Sequence, residues 1–213
     1  WLQCYATEIL DAKYEWTDVK DVVDGLEHLD QSQKDDLLEL LQRHASMFDG
    51  TLGVYPHKKF HIEVDPTAKP VYSRPYAIPR IHLNTFKKEL DHLVRIGVLV
   101  RQQESEWASP TFIIPKKDGR VRWISDLRQL NKVIKRKQYP LPIITDILRK
   151  RIGYKFFSKL DISMQYYTFE LDDDSQDLCT ICTPFGMYKY TRLLMGLKCS
   201  PDFAQATMEN VLR

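Results

Sequence analysis

The stretch "SPTFIIPKKDGRVRWISDL", residues 109–127, constrains the fold more than any other part of the chain. Both arms are rich in β-branched and aromatic residues, and Asp118-Gly119 between them is a strong hairpin signal. Side chains alternate along a strand, so Arg120 and Arg122 share one face of the returning arm, and Val121 and Trp123 share the other. Lys116 and Lys117 sit just before the turn, which brings four cations to the tip. Like charges brought together repel, so this crowding does nothing for the hairpin itself and points mildly to a ligand.

Helical patterns flank the hairpin. In "LDQSQKDDLLELLQRHASMFDG", Asp30 is placed to cap with Gln33 three residues on, an apolar stripe runs to Phe48, and Gly50 is the stop. In "RIHLNTFKKELDHLVRIG", Phe86, Leu90, Leu93 and Val94 recur at helical spacing and Gly97 ends the run. "KKFHIEVD" reads as a short strand, "SRPYAIPR" as an extended proline-rich link, and "YPLPIITDILRKRIG" as a turn and short helix. "YKFFSKLDI" is a strand. Ile162, Met164 and Tyr166 keep one phase while Phe169 and Leu171 take the other, so the chain turns or bulges near Tyr166-Tyr167. "LDDDSQD" reads as an acidic turn, and "CTICTPFGMYKYTRLL" as a second hairpin around Pro184-Phe185-Gly186. "CSPDFAQATMENVLR" is a helix with Ser200 as N-cap, Pro201 first and Asp202 near its positive end. Strands and helices alternate without a βαβ period, which predicts an α+β fold.

The 213 residues suffice for one domain or two small lobes, with an ordinary globular balance of 43% hydrophobic and 28% charged residues. No apolar run approaches ~20 residues, so no bilayer-spanning segment is expected. The start lacks a secretory signal and an initiator Met, and the end falls inside a helical pattern, so a fragment of a longer reading frame is expected. Net charge is +2, unevenly placed: residues 1–50 hold 12 acidic against 4 basic residues, whereas residues 116–137 hold 9 basic against 2 acidic. Such a basic cluster fits a polyanion, and equally a solvated face. Cys179-x-x-Cys182 fits metal or redox chemistry only with a second ligand pair. Strand cysteines in a reducing compartment are the plainer account.

Asp161 interrupts the apolar strand "FSKLDI". A carboxylate in apolar surroundings needs a partner. At a strand end it can bind a divalent metal together with substrate phosphates, or it can cap a turn. Spacing alone leaves both open.

The blocks "SPTFIIPKKDGRVRWISDLRQLNKVI", "YPLPIITDIL", "FSKLDIS" and "YKYTRLLMGLKCSPDFAQATMENVL" follow one another in an order that resembles the reverse transcriptase of gypsy-type long-terminal-repeat retrotransposons, over about residues 57–213. The resemblance implies a right-hand polymerase: fingers plus partial palm, an antiparallel palm sheet packed with helices. Residues 1–50 would be the acidic spacer or helical lead-in between protease and polymerase, and residues 51–213 the fingers and partial palm. The partners implied are an RNA/DNA template-primer and dNTP, with RNase H and integrase segments downstream in the parent polyprotein. Two Mg²⁺ ions about 3.5–4 Å apart would serve the complete enzyme.

By motif position, the resemblance makes Asp161 the first catalytic and metal-binding aspartate, with the Ile162 carbonyl on a metal. Lys116 would touch the triphosphate, and Arg122 would lie against the phosphates and base, where lysine could not replace its planar fork. Backbone N–H groups around Met164 and Gln165 would approach the triphosphate. Tyr166, five residues after Asp161, would be the steric gate against a ribose 2′-OH. Met195-Gly196 would lie beside the nucleotide. Asp126, Arg128 and Asn131 would lie near the template and the base of the fingers.

Departures matter as well. Relatives supply a second carboxylate pair on a Tyr-x-Asp-Asp hairpin after the helix that opens at Ser200, and this chain ends inside that helix. Asp172, Asp173 and Asp174 are adjacent, cannot all face one site, and are expected to be solvated. Leu194 stands where relatives often carry proline. These 213 residues are therefore expected not to incorporate dNTP by themselves. The alternatives are a non-catalytic nucleic-acid- or dNTP-binding remnant and a pseudogene product with an uncovered sheet edge.

Overall fold

The structure, a computed structural model, describes residues 16–115, 121–155, 162 and 164–212. The chain divides into two compact units. One takes the described residues up to Gly53 together with Ile162 and Met164. The other takes the remaining described residues from Val54 onward.

The smaller unit contains α1 (Val19–Asp24) and α2 (Gln31–Arg43). The expected capping box opens α2: the Asp30 carboxylate accepts from the Gln33 N–H at 2.9 Å, and the Gln33 side chain accepts from the Asp30 N–H at 3.1 Å. The helix stops earlier than the apolar stripe implied. It ends at Arg43, a 3-10 turn spans Ala45–Phe48, and Gly50 follows with φ 80°.

The larger unit is built on a five-stranded sheet. Its elements are α3 (Leu83–Arg95), β1 (Leu99–Gln102), β2 (Ser109–Pro115), β3 (Val121–Ser125), α4 (Arg128–Val133), α5 (Ile144–Arg149), α6 (Asp173–Leu178), β4 (Thr180–Thr183), β5 (Gly186–Tyr190) and α7 (Ser200–Val211). The strand order is β1-β5-β4-β2-β3. All pairs are antiparallel except β2 with β4, which run parallel over Ser109↔Ile181 and Pro110↔Cys182.

The β2–β3 pairing spans Thr111↔Ser125 to Pro115↔Val121, as the hairpin pattern predicts; its Asp118-Gly119 turn lies outside the described residues. The second hairpin closes around Pro184-Phe185, with Gly186 at φ 119°. Helix α3 buries Phe86, Leu90 and Leu93, whereas Val94, on the stripe's edge, is exposed. The Phe86 ring packs on Trp123 of β3 at 4.6 Å between centroids. The core continues through Leu99, Ile181, Tyr190, Leu193 and Leu194, all buried.

Three local expectations are corrected. "KKFHIEVD" makes only isolated bridges, Phe60↔Leu171 and Val64↔Ile134, because its neighbours are single residues of other segments. "LDDDSQD" is not a turn: Asp172 accepts from the Ser175 N–H at 3.0 Å and so starts α6. Helix α7 has Cys199, not Ser200, at its N-cap, because the Ser200 hydroxyl donates instead to the Leu194 carbonyl at 2.8 Å. Asp202 does more than sit near a helix start. It is buried, and Arg136 grips it with Nε at 2.6 Å and Nη2 at 3.1 Å, while the Tyr139 N–H donates at 3.0 Å. The strand "FSKLD" lies outside the described residues. At Tyr166-Tyr167, where a change of phase was expected, the chain winds into a 3-10 turn, Gln165–Thr168.

Candidate nucleic-acid interface

Strand β3 delivers Ser125 and Asp126 to the start of α4, and the Asp126 N–H donates to the Pro110 carbonyl at 2.8 Å, pinning the strand end to β2. The Asp126 carboxylate then gathers three donors from side chains: Arg128 Nε at 2.8 Å, Arg128 Nη2 at 2.7 Å and the Tyr76 hydroxyl at 2.7 Å. The Arg128 guanidinium holds this carboxyl well below the usual carboxylate range, and the same carboxylate pushes the Tyr76 phenol up. The Tyr76 ring meets Phe112 edge-on at 5.9 Å. These groups line an open groove of about 740 Å³ with Pro79, Leu127, Asn131 and Gly196.

One turn along α4, Asn131 reaches the loop between β5 and α7. Its Nδ2 donates to the Gly196 carbonyl at 2.7 Å, and its Oδ1 accepts from the Lys198 N–H at 2.9 Å. Gly196 has φ 99°, a conformation that side chains strain to adopt. Met195 beside it is 65% exposed.

The basic cluster sorts itself by partner. Arg128 is paired with Asp126, Arg136 with Asp202 and Lys137 with Glu63. Lys132 donates to the Gln129 side chain, and Lys135 lies in the field of Glu63 and Asp65. Arg122, exposed on β3 opposite Ile114, has no hydrogen bond or ion pair among the described residues. It is a cation open to a ligand. Lys116, Lys117 and Arg120 lie outside the described residues.

The remaining predicted site residues fall in two places. Asp161 lies outside the described residues. Ile162, exposed, and Met164, with a left-handed backbone at φ 46°, belong to the smaller unit. Gln165 and Tyr166 belong to the larger one. Their 3-10 turn is tied by the Thr168 hydroxyl to the Gln165 carbonyl at 2.6 Å and by the Tyr55 N–H to the Thr168 carbonyl at 2.8 Å. Tyr166 is half-buried, and burial pushes its phenol up. Among the described residues no three His, Cys, Asp or Glu stand close enough to hold a metal. Cys179, Cys182 and Cys199 are free and buried, and burial pushes their thiols up. No described helix is long and apolar enough to cross a membrane.

Residues 114–213 match the reverse transcriptase (RNA-dependent DNA polymerase) family. This segment belongs to that family. Its similarity to known polyproteins extends further along the chain. The chain is 28% identical over 195 residues, 88% of its length, to the retrovirus-related Pol polyprotein from transposon 297 of Drosophila melanogaster. It is 33% identical over 146 residues, 66% of its length, to that from transposon 412 of the same organism. The chain spans only 18% and 12% of these two relatives. The fold is that of a reverse transcriptase. The prototype foamy virus protease-reverse transcriptase superposes with a TM-score of 0.79 at 22% identity, over 93% of this chain and 27% of that one. The foamy viral enzyme solved with an RNA/DNA hybrid gives 0.75 at 21% identity, over 91% and 26%.

Sequence reasoning missed Tyr76. It lies in a proline-rich stretch read as a link, 50 residues from the carboxylate it serves. The one available signal was an aromatic flanked by prolines, which is too common to single it out.

Proposed function

We propose that this reverse transcriptase segment forms the fingers and part of the palm of an RNA-directed DNA polymerase from a gypsy-type retrotransposon, acting on an RNA/DNA template-primer and dNTP. The observation that carries the reading is the groove in which Tyr76, Asp126, Arg128, Asn131 and Gly196 converge beside the β2–β3 hairpin, all of these but Tyr76 lying in the matched segment. An aromatic ring, a fixed guanidinium and an open cation on the neighbouring strand suit a stacked, charged polymer. The foamy viral relative solved with an RNA/DNA hybrid supports the choice of duplex. Residues 1–50 are the acidic lead-in and 51–213 the polymerase portion, with RNase H and integrase segments as further parts of the polyprotein.

Within that reading Lys116 and Arg122 neutralise the triphosphate, and the Met164 and Gln165 N–H groups donate to it. Tyr166 excludes a ribose 2′-OH by shape. Met195 lies beside the base. Asp161 and the Ile162 carbonyl are the metal ligands. Mg²⁺, when bound, would lower the pKa of the primer 3′-OH and draw charge from the phosphates.

The test is a ternary complex. With a labelled template-primer bound to the chain, the dNTP matched to the template should slow dissociation and a mismatched dNTP should not. Arg122→Ala should remove most of that effect, and Tyr166→Ala should let the matched rNTP reproduce it. A chain that holds duplex and ignores dNTP identity would overturn the polymerase reading and leave the remnant reading.

A further inference from the structure

The Asn131 amide makes two bonds to one turn. It satisfies the Gly196 carbonyl at 2.7 Å and the Lys198 N–H at 2.9 Å, groups two residues apart that a strand or helix would otherwise have paired. Between them they fix the turn against rotation, because a single planar amide sets both a donor and an acceptor direction. The flanks of the turn are held by the core, Leu194 and Leu197 being buried and the Ser200 hydroxyl donating to the Leu194 carbonyl, and the two Asn131 bonds hold its tip. Gly196 sits at φ 99°, and a Cβ at that position would stand 3.6 Å from Leu127 Cδ1. Asn131 lies three residues after Arg128 on α4, so both face the same side of that short helix. The helix thus carries the Asp126–Arg128–Tyr76 cluster at its start and the turn bearing Met195 at its next coil.

We infer that Asn131 is a positioning residue for the nucleotide. It touches no substrate; it sets the Met195–Gly196 turn at a fixed height against the helix that carries Arg128. This rests on the proposal that Met195 lies beside the nucleotide. Asn131→Leu keeps the size and removes both bonds, and Asn131→Gln keeps the amide on a longer arm.

Three measurements on the 213-residue chain separate positioning from a structural role: hydrogen exchange at the Lys198 amide without ligand, affinity for the matched dNTP in the duplex complex, and affinity for the duplex alone. For Asn131→Leu, exchange at Lys198 should quicken and the dNTP Kd should rise roughly tenfold, the equivalent of one or two lost hydrogen bonds. Duplex affinity should hold within about twofold on the same scale. Asn131→Gln should recover part of the dNTP affinity, and it serves as the variant if Asn131→Leu fails to fold. Faster exchange with unchanged dNTP affinity overturns the inference, as does a parallel fall in both affinities. A wild-type chain that retains no matched dNTP is a different result and overturns the polymerase reading beneath it.

Discussion

At the scale of single residues, the sharpest contrast is between two carboxylates that arginines hold. Asp126 is partly open in a groove, shared between Arg128 and Tyr76. Asp202 is 3% exposed and shared between Arg136 and a backbone N–H. The Arg136 guanidinium holds the Asp202 carboxyl below its ordinary value. A carboxyl depressed in the folded state contributes stability that is present above its unfolded value, near 4, and is lost as pH falls through the folded value. Acid titration should therefore destabilise the larger unit below about pH 4, and Asp202→Asn should flatten that limb. At neutral pH the same variant leaves Arg136 unpaired. Because Arg136 is 40% exposed, the loss should fall below the ~3–5 kcal/mol typical of a broken buried pair, read as a shift in the urea midpoint. Neither partnership was legible beforehand. Asp202 read as a helix-start acid and Arg136 as one of nine cations, since their pairing spans 66 residues and follows only from the packed fold.

Among elements, those whose signal is local were legible and those whose partner is distant were not. The hairpin arms of β2 and β3, the capping box of α2 and the apolar face of α3 rest on neighbours within a few residues. The failures are instructive for the same reason. Helix α6 was hidden because three adjacent aspartates look solvated, while its start depends on one of its flanking carboxylates reaching Ser175. The sheet order also escaped, because β4 inserts between β2 and β5. Two predictions belong at this scale. Phe86→Ala, at a fully buried site against Trp123, should cost about 3–5 kcal/mol in chemical denaturation of the larger unit. Asp30→Ala should cost about 1 kcal/mol and raise amide exchange in the first turn of α2 only.

For the whole molecule, a near-neutral chain conceals a division of charge, and most of its basic stretch is internally paired where described. Counting lysines and arginines therefore overstates the phosphate contacts available. Arg122 is the described member of that stretch with an open guanidinium. Duplex binding should weaken as salt rises, and Arg122→Ala should lower the slope of log affinity against log salt by about 1. An unchanged slope would remove Arg122 from the interface. The reverse transcriptase match over residues 114–213 was legible from the order of the sequence blocks. The groove's aromatic wall at Tyr76 was not, for it depends on a proline-rich segment whose path no local pattern dictates.

The strand order has a further consequence in time. Strand β1 finds its partner in β5, with Leu99 opposite Tyr190, and β2 meets β4 with Ser109 opposite Ile181. A ribosome adding ~5–20 residues per second would leave β1 waiting roughly 4–17 s for β5 to be made. Pulse-labelled exchange during refolding should find the β2–β3 hairpin protected first and β1 last. In the cell, that interval leaves the amides of β1 open to whatever binds a nascent strand.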